Sequence, residues 1–150
     1  MKQNSSYVVE IPADIRYVPC TVEQLLSFLQ ENVEVDEDSL FDLKLILNEL
    51  IINAVNHGNK GDQSKKVLVK VGICTNNKVY IIVEDEGQGY KTVSNPCNMD
   101  LCNEESETDV FLLDEKGRGL KLVASLCNNI RVSSKGNKVV ILKEIMCSTQ

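Results

Sequence analysis

From Asp36 to Val55 the chain places apolar residues at Leu40, Leu43, Ile46, Leu47, Leu50, Ile51, Ala54 and Val55, a 3.6-residue spacing that predicts one long helix buried along a broad face. No other segment restricts the fold as much, because so wide an apolar face needs an equally wide apolar partner. Asp36, Glu37 and Asp38 suit the start of this helix, where acidic groups meet the positive end of the helix dipole. His57-Gly58-Asn59 is expected to stop it, with Gly58 as the left-handed C-terminal residue.

The remaining segments supply the partner. Tyr7 to Ile11 alternate weakly and stop at Pro12, as an opening edge strand does. Val67 to Ile73 and Val79 to Val83 predict a hairpin turned at Asn76-Asn77, and Ile130 to Ser133 with Val139 to Ile145 a second one turned at Lys135-Gly136-Asn137. A short helix is predicted from Thr21 as cap, with Gln24 three positions on, through Leu25, Leu26, Phe28 and Leu29 to about Asn32; a third runs from about Arg118 to Cys127. Early helices and antiparallel hairpins predict an α+β fold, a two-layer sandwich whose mixed sheet is covered on one face by three helices. At 150 residues this is one domain, residues 1–150, able to bury about two-thirds of its surface without staples.

Charge and composition narrow the function. Twenty-two acidic residues against 16 basic ones give a net −6, which disfavours a nucleic-acid backbone as main partner, since phosphate neutralisation needs a basic face. A protein or small-molecule partner is expected. No apolar run approaches the roughly 20 residues of a membrane span, and Met1 to Ser6 lack a signal-peptide core, so the expected location is cytoplasmic, away from the membrane. Cys20, Cys74, Cys97, Cys102, Cys127 and Cys147 are widely spaced without a Cys-x-x-Cys pair, which predicts reduced thiols, and a lone histidine, His57, disfavours zinc. The connection from Gly87 to Gly117 is too long for a purely structural loop, and between Tyr90 and Lys116 it holds seven acids against two lysines.

Three short segments carry chemistry. Glu49 and Asn53, four apart on the long helix, point from the same side; such a pair can hold a water or accept a proton while the amide oxygen ligates a hard cation, or can simply occupy the solvent face. Asp85-Glu86-Gly87-Gln88-Gly89 follows a strand, where an aspartate can accept from an exocyclic amine, although a plain turn accounts for it equally. Lys116-Gly117-Arg118-Gly119-Leu120 opens a helix, whose free N–H groups favour phosphate.

In this order, the segments Asn48 to Asp62, Val83 to Tyr90 and Gly117 to Val123 resemble the N, G1 and G2 boxes of the histidine-kinase-like (Bergerat-fold) ATPases, in particular the anti-sigma regulatory factors and serine-protein kinases, over roughly Pro12 to Lys143. The resemblance implies ATP and Mg²⁺ as cofactors. It makes Asn53 the Mg²⁺ ligand, Glu49 the catalytic base for an attacking hydroxyl, and Asp85 the reader of the adenine amine. Gly87 and Gly89 would shape the pocket floor, Gly117, Arg118, Gly119 and Leu120 would lie beside the phosphates, and residues 90–116 would form the ATP lid, mobile without nucleotide. Asn56, His57 and Gly58 also match the first box, with Asn56 expected near the nucleotide. The implied function is an ATP-binding anti-sigma factor and serine-protein kinase that sequesters a sigma factor and phosphorylates an anti-sigma factor antagonist. A nucleotide-gated binding module without phosphoryl transfer is the alternative. Members of such a family often dimerise, so a homodimer is open to this chain.

Overall fold

The structure, a computed structural model, describes residues 5–74, 77–87 and 117–145. Five strands, β1 (Ser6–Pro12), β2 (Lys66–Cys74), β3 (Lys78–Asp85), β4 (Asn129–Val132) and β5 (Lys138–Glu144), form one sheet in the order β1-β2-β3-β5-β4. Among the described residues three α-helices, α1 (Val18–Asn32), α2 (Glu37–Asn53) and α3 (Gly117–Leu126), accompany it. The expected lid lies outside the described residues.

Strand alternation decides which face the helices cover. Val69, Val83 and Val139 stand opposite one another across β2, β3 and β5, and Val71, Ile81 and Ile141 form the next row. These rows are buried in one cluster with Leu25 and Leu29 of α1, Leu43, Ile46, Leu47, Leu50 and Ile51 of α2, and Leu120 and Val123 of α3. Residues of the intervening rows, such as Lys70, Ile82 and Val140, are half-buried on the opposite face. The period-2 pattern of the strands and the 3.6-residue pattern of α2 thus meet in a single apolar layer. Each fully buried Leu or Ile in it contributes about 1.5–3 kcal/mol.

Four sequence expectations change. The sheet is antiparallel in every pairing of the described strands, not mixed. The reason is topological: the chain returns through α3 into β4, which runs in the direction of β3, but β5 folds back between them and takes the hydrogen bonds on both sides. Helix α1 begins three residues before Thr21, with Pro19 in its first turn, where a missing N–H costs nothing. Thr21 Oγ1 therefore donates back to Tyr17 O at 2.7 Å instead of capping. Asp14 caps the short 3₁₀ turn ahead of it by accepting from Arg16 N at 3.0 Å, and the hydrogen bonds from Arg16 hold its carboxyl below the usual range. At the other end of α2, Gly58 is not left-handed; positive φ occurs later, at Lys60 (56°) and Gly61 (71°).

One buried charge ties the layers together. Lys143 stands on the helix-facing side of β5 and donates to Asp42 Oδ2 on α2 at 3.1 Å and to Leu126 O at the C-terminus of α3 at 2.8 Å. A cation at a helix C-terminus satisfies an orphan carbonyl, and the aspartate offsets the cost of burying the ammonium. This anchor fixes α3 beside α2 at the end opposite the functional site.

Candidate functional site

The site is built where α2 ends. Asp36 caps its start by accepting from Ser39 N at 3.0 Å, and seventeen helical residues later the backbone widens into a π-helical turn, Ala54–Gly58. Asn59 N donates to Ala54 O at 2.8 Å, closing this wider turn. Single π turns accumulate at functional sites because the inserted residue re-aims its neighbours. Here the turn delivers Gly58 onto the end of β3.

Two pairs of elements touch there through absent side chains. A Cβ at Gly58 would fall onto the Asp85 carboxylate, and one at Gly87 would fall onto Gly58 O and lie 3.1 Å from Asp85 Oδ1. A Cβ at Gly119 would fall onto Glu49 Oε1 and lie 3.2 Å from Asn53 Nδ2. The first turn of α3 is therefore pressed against the pair Glu49 and Asn53, and the turn after β3 is pressed against the end of α2. The three segments singled out in the sequence converge on one junction. Asp85, Asn53 and Leu120 line a common cavity with Leu50, Val83 and Asn137; at about 10 Å³ it has room for one water. A purine ring is too large for this space as it stands.

Asp85 is held on all sides and is only 9% exposed. Its N–H donates to Asn137 O at 2.9 Å, its carbonyl accepts from Asn137 Nδ2 at 2.9 Å, and its Oδ1 accepts from Gly87 N at 2.8 Å. Burial pushes its carboxyl above the usual carboxylate range, and the Gly87 N–H opposes that shift in part. Asn53 Nδ2 is buried and has no hydrogen-bond partner among the described residues. A buried donor left without a partner costs about 1–3 kcal/mol, so a water or a ligand group in the adjoining cavity is the partner it calls for. A half-turn about the terminal bond exchanges the two ends of a carboxamide, so the same group can present its oxygen to a hard cation. The residues present fit a Mg²⁺ shared with phosphates, which needs one or two protein groups.

The other expected residues are placed as follows. Leu120 is fully buried at the cavity, Gly117 and Arg118 open α3, and Asn56 and His57 are exposed on the π-helical turn. Gly89 lies outside the described residues. The sequence places Asn59 at the helix stop and Asn137 in a hairpin turn without a part in the site, and Gly58 as helix terminator and first-box residue. An asparagine directly after the glycine that ends a helix, and another in a hairpin turn, were the available signals.

The close approach of Gly87 to Gly58 makes a prediction. In Gly87→Ala the new methyl meets a backbone carbonyl, which cannot swing aside as a side chain can. Urea denaturation is expected to show a loss of about 1–3 kcal/mol. An unchanged midpoint and slope would mean that the two turns are not packed as described.

Comparison with known proteins bears on the family and the fold. Residues 11–143 match the family model described as the histidine kinase-like ATPase domain. The chain is 28% identical to the serine-protein kinase RsbW of Bacillus subtilis, over 97% of its own length and 89% of that protein. It is 29% identical to the anti-sigma F factor of Clostridium perfringens, over 72% of this chain and 74% of that one. Among solved structures, the blue-light activated histidine kinase EL346 of Erythrobacter litoralis superposes with a TM-score of 0.53 at 16% identity; 85% of this chain is covered, and it spans 42% of that kinase, so the likeness bears on the fold alone. With a model match across nearly the whole core and the junction of α2, β3 and α3 in place, the chain belongs to the histidine kinase-like ATPase domain family.

Proposed function

We propose that the chain binds Mg-ATP at this junction and transfers the terminal phosphoryl group to a serine or threonine of an anti-sigma factor antagonist, and that it also sequesters a sigma factor. The observation that carries the reading is the pairing of Glu49 and Asn53 under Gly119, one helical turn apart, with Asn53 lining one cavity with the buried acceptor Asp85. Among the similar proteins, the name anti-sigma F factor supports the sigma factor as partner, and the name serine-protein kinase supports a serine as acceptor. Such a regulator works in the cytoplasm, and a homodimer is the assembly that the family resemblance implies.

Each residue has a task that its surroundings allow. Asp85 accepts the adenine amine. Asn53 offers its amide oxygen to Mg²⁺, which when bound offsets phosphate charge. The glycines at 117 and 119 let the N-terminal backbone of α3 come close to phosphate, with free N–H groups and the helix dipole favouring the anion. Glu49 takes the proton from the attacking hydroxyl as its oxygen bonds to the terminal phosphorus and the bond to the departing ADP breaks. Positioning and charge supply most of the acceleration in such transfers.

The test is a titration of Mg-ATP into the purified chain and into Asn53→Ala, beside capture of protein partners from the native extract with and without ATP. Wild type is expected to bind Mg-ATP and to retain partners in an ATP-dependent manner. Asn53→Ala is expected to lose at least about tenfold in Mg-ATP affinity, as removal of a metal-site group does. Equal binding by the two proteins would remove Asn53 from the site.

A further inference from the structure

Asn59 is 1% exposed, and both ends of its carboxamide are used. Its Oδ1 accepts from Glu86 N at 2.9 Å, and its Nδ2 donates to Lys66 O at 3.0 Å. The first bond holds the turn after β3, the second the start of β2, and the backbone of Asn59 belongs to the closed end of α2. Glu86 lies between Asp85 and Gly87, and Gly87 N is the donor to Asp85 Oδ1 at 2.8 Å. The peptide that Asn59 grips, between Asp85 and Glu86, thus adjoins the one, between Glu86 and Gly87, whose N–H fixes the rotation of the Asp85 carboxylate. With Oδ1 engaged, Oδ2 is the oxygen left for a ligand donor.

We propose that Asn59 is a positioning residue that sets base selectivity: it clamps the 85–87 turn so that Asp85 presents one fixed oxygen to an exocyclic amine. The inference rests on the nucleotide reading above. Only a carboxamide at this length can accept from Glu86 N and donate to Lys66 O together; a carboxylate keeps the first bond and loses the second. Asn137 holds the backbone of Asp85 from the opposite side, so Asp85 stays on its strand when Asn59 is changed, and what loosens is the turn and with it the carboxylate. A loosened carboxylate no longer separates an amine donor from a carbonyl acceptor in the same place.

The experiment compares ATP with inosine triphosphate, which carries a 6-oxo group where ATP has its amine, by direct binding titration to the full chain with thermal melts alongside. Wild type is expected to favour ATP. Asn59→Leu, close in volume and without polar ends, is expected to bring the ratio of the two affinities down about fivefold or more, towards unity. Asn59→Asp, which keeps the bond to Glu86 N, is expected to retain most of the ratio. Asn59→Ser, too short to bridge both groups, repeats the Asn59→Leu result in a smaller side chain should that variant fail to fold. A purely structural asparagine would lower the melting temperature and leave the ratio of the folded variants at the wild-type value, and that result overturns the inference. Wild type that binds both triphosphates equally overturns the Asp85 reading and this inference with it.

Discussion

Glu49→Gln is expected to abolish measurable phosphoryl transfer while ATP affinity stays within about twofold of wild type. General-base assistance is worth about 100-fold or more, and the substitution removes it without changing size or polarity. The selectivity of the effect follows from geometry. Glu49 faces the first turn of α3 one helical turn before Asn53, while base recognition is assigned to Asp85, at the end of strand β3. The carboxamide introduced by Glu49→Gln has nearly the same shape as the carboxylate under Gly119, so the packing of α3 on α2 is kept. A transfer rate within about threefold of wild type, far short of the loss that general-base removal brings, would show that Glu49 accepts no proton in the rate-limiting step.

Asp85→Asn separates binding from stability. A carboxylate accepts from both the Gly87 N–H and the adenine amine, whereas a carboxamide has one accepting end, so one of the two donors must face another donor. The expected cost is about 1–3 kcal/mol, or roughly 5- to 150-fold in ATP affinity. Stability moves the other way. Burial raises the carboxyl pKa of Asp85 in the folded chain, so the fold favours the protonated form. Its contribution is complete below the unfolded value and is lost as pH rises through the raised folded value, which leaves ionised Asp85 as a cost at neutral pH. The neutral Asn is therefore expected to melt at the same temperature as wild type or higher at pH 7, and the difference is expected to shrink on acidification. A variant that melts lower and binds ATP normally would contradict both halves of this assignment.

The long helix was legible because its apolar spacing and its acidic start agree, and the structure places both where the pattern requires. The strands were legible from alternation that ends at turn residues. The antiparallel pairing throughout was not, because strand direction fixes neither which strand β5 lies beside nor that it separates β4 from β3. Gly58 shows a different limit. A glycine where a helix ends is ordinarily read as a left-handed cap, but here the backbone needs the missing side chain, not the positive φ, and that need is created by Asp85, 27 positions away. Asn59 shows the same limit: its two partners belong to β2 and to the turn after β3. Local sequence shows which residues can do chemistry; the contacts that aim them are non-local. The Glu49, Asn53 and Gly119 junction was reached only through the order of the three segments.

The most direct measurement is transfer of labelled phosphate from ATP to the protein captured with the chain, with the modified residue located by mass spectrometry. The account predicts a phosphoserine or phosphothreonine on that partner with wild type, none with Glu49→Gln, and full Mg-ATP binding by both. A wild type that binds Mg-ATP and retains its partner in an ATP-dependent manner, yet transfers nothing, would contradict it.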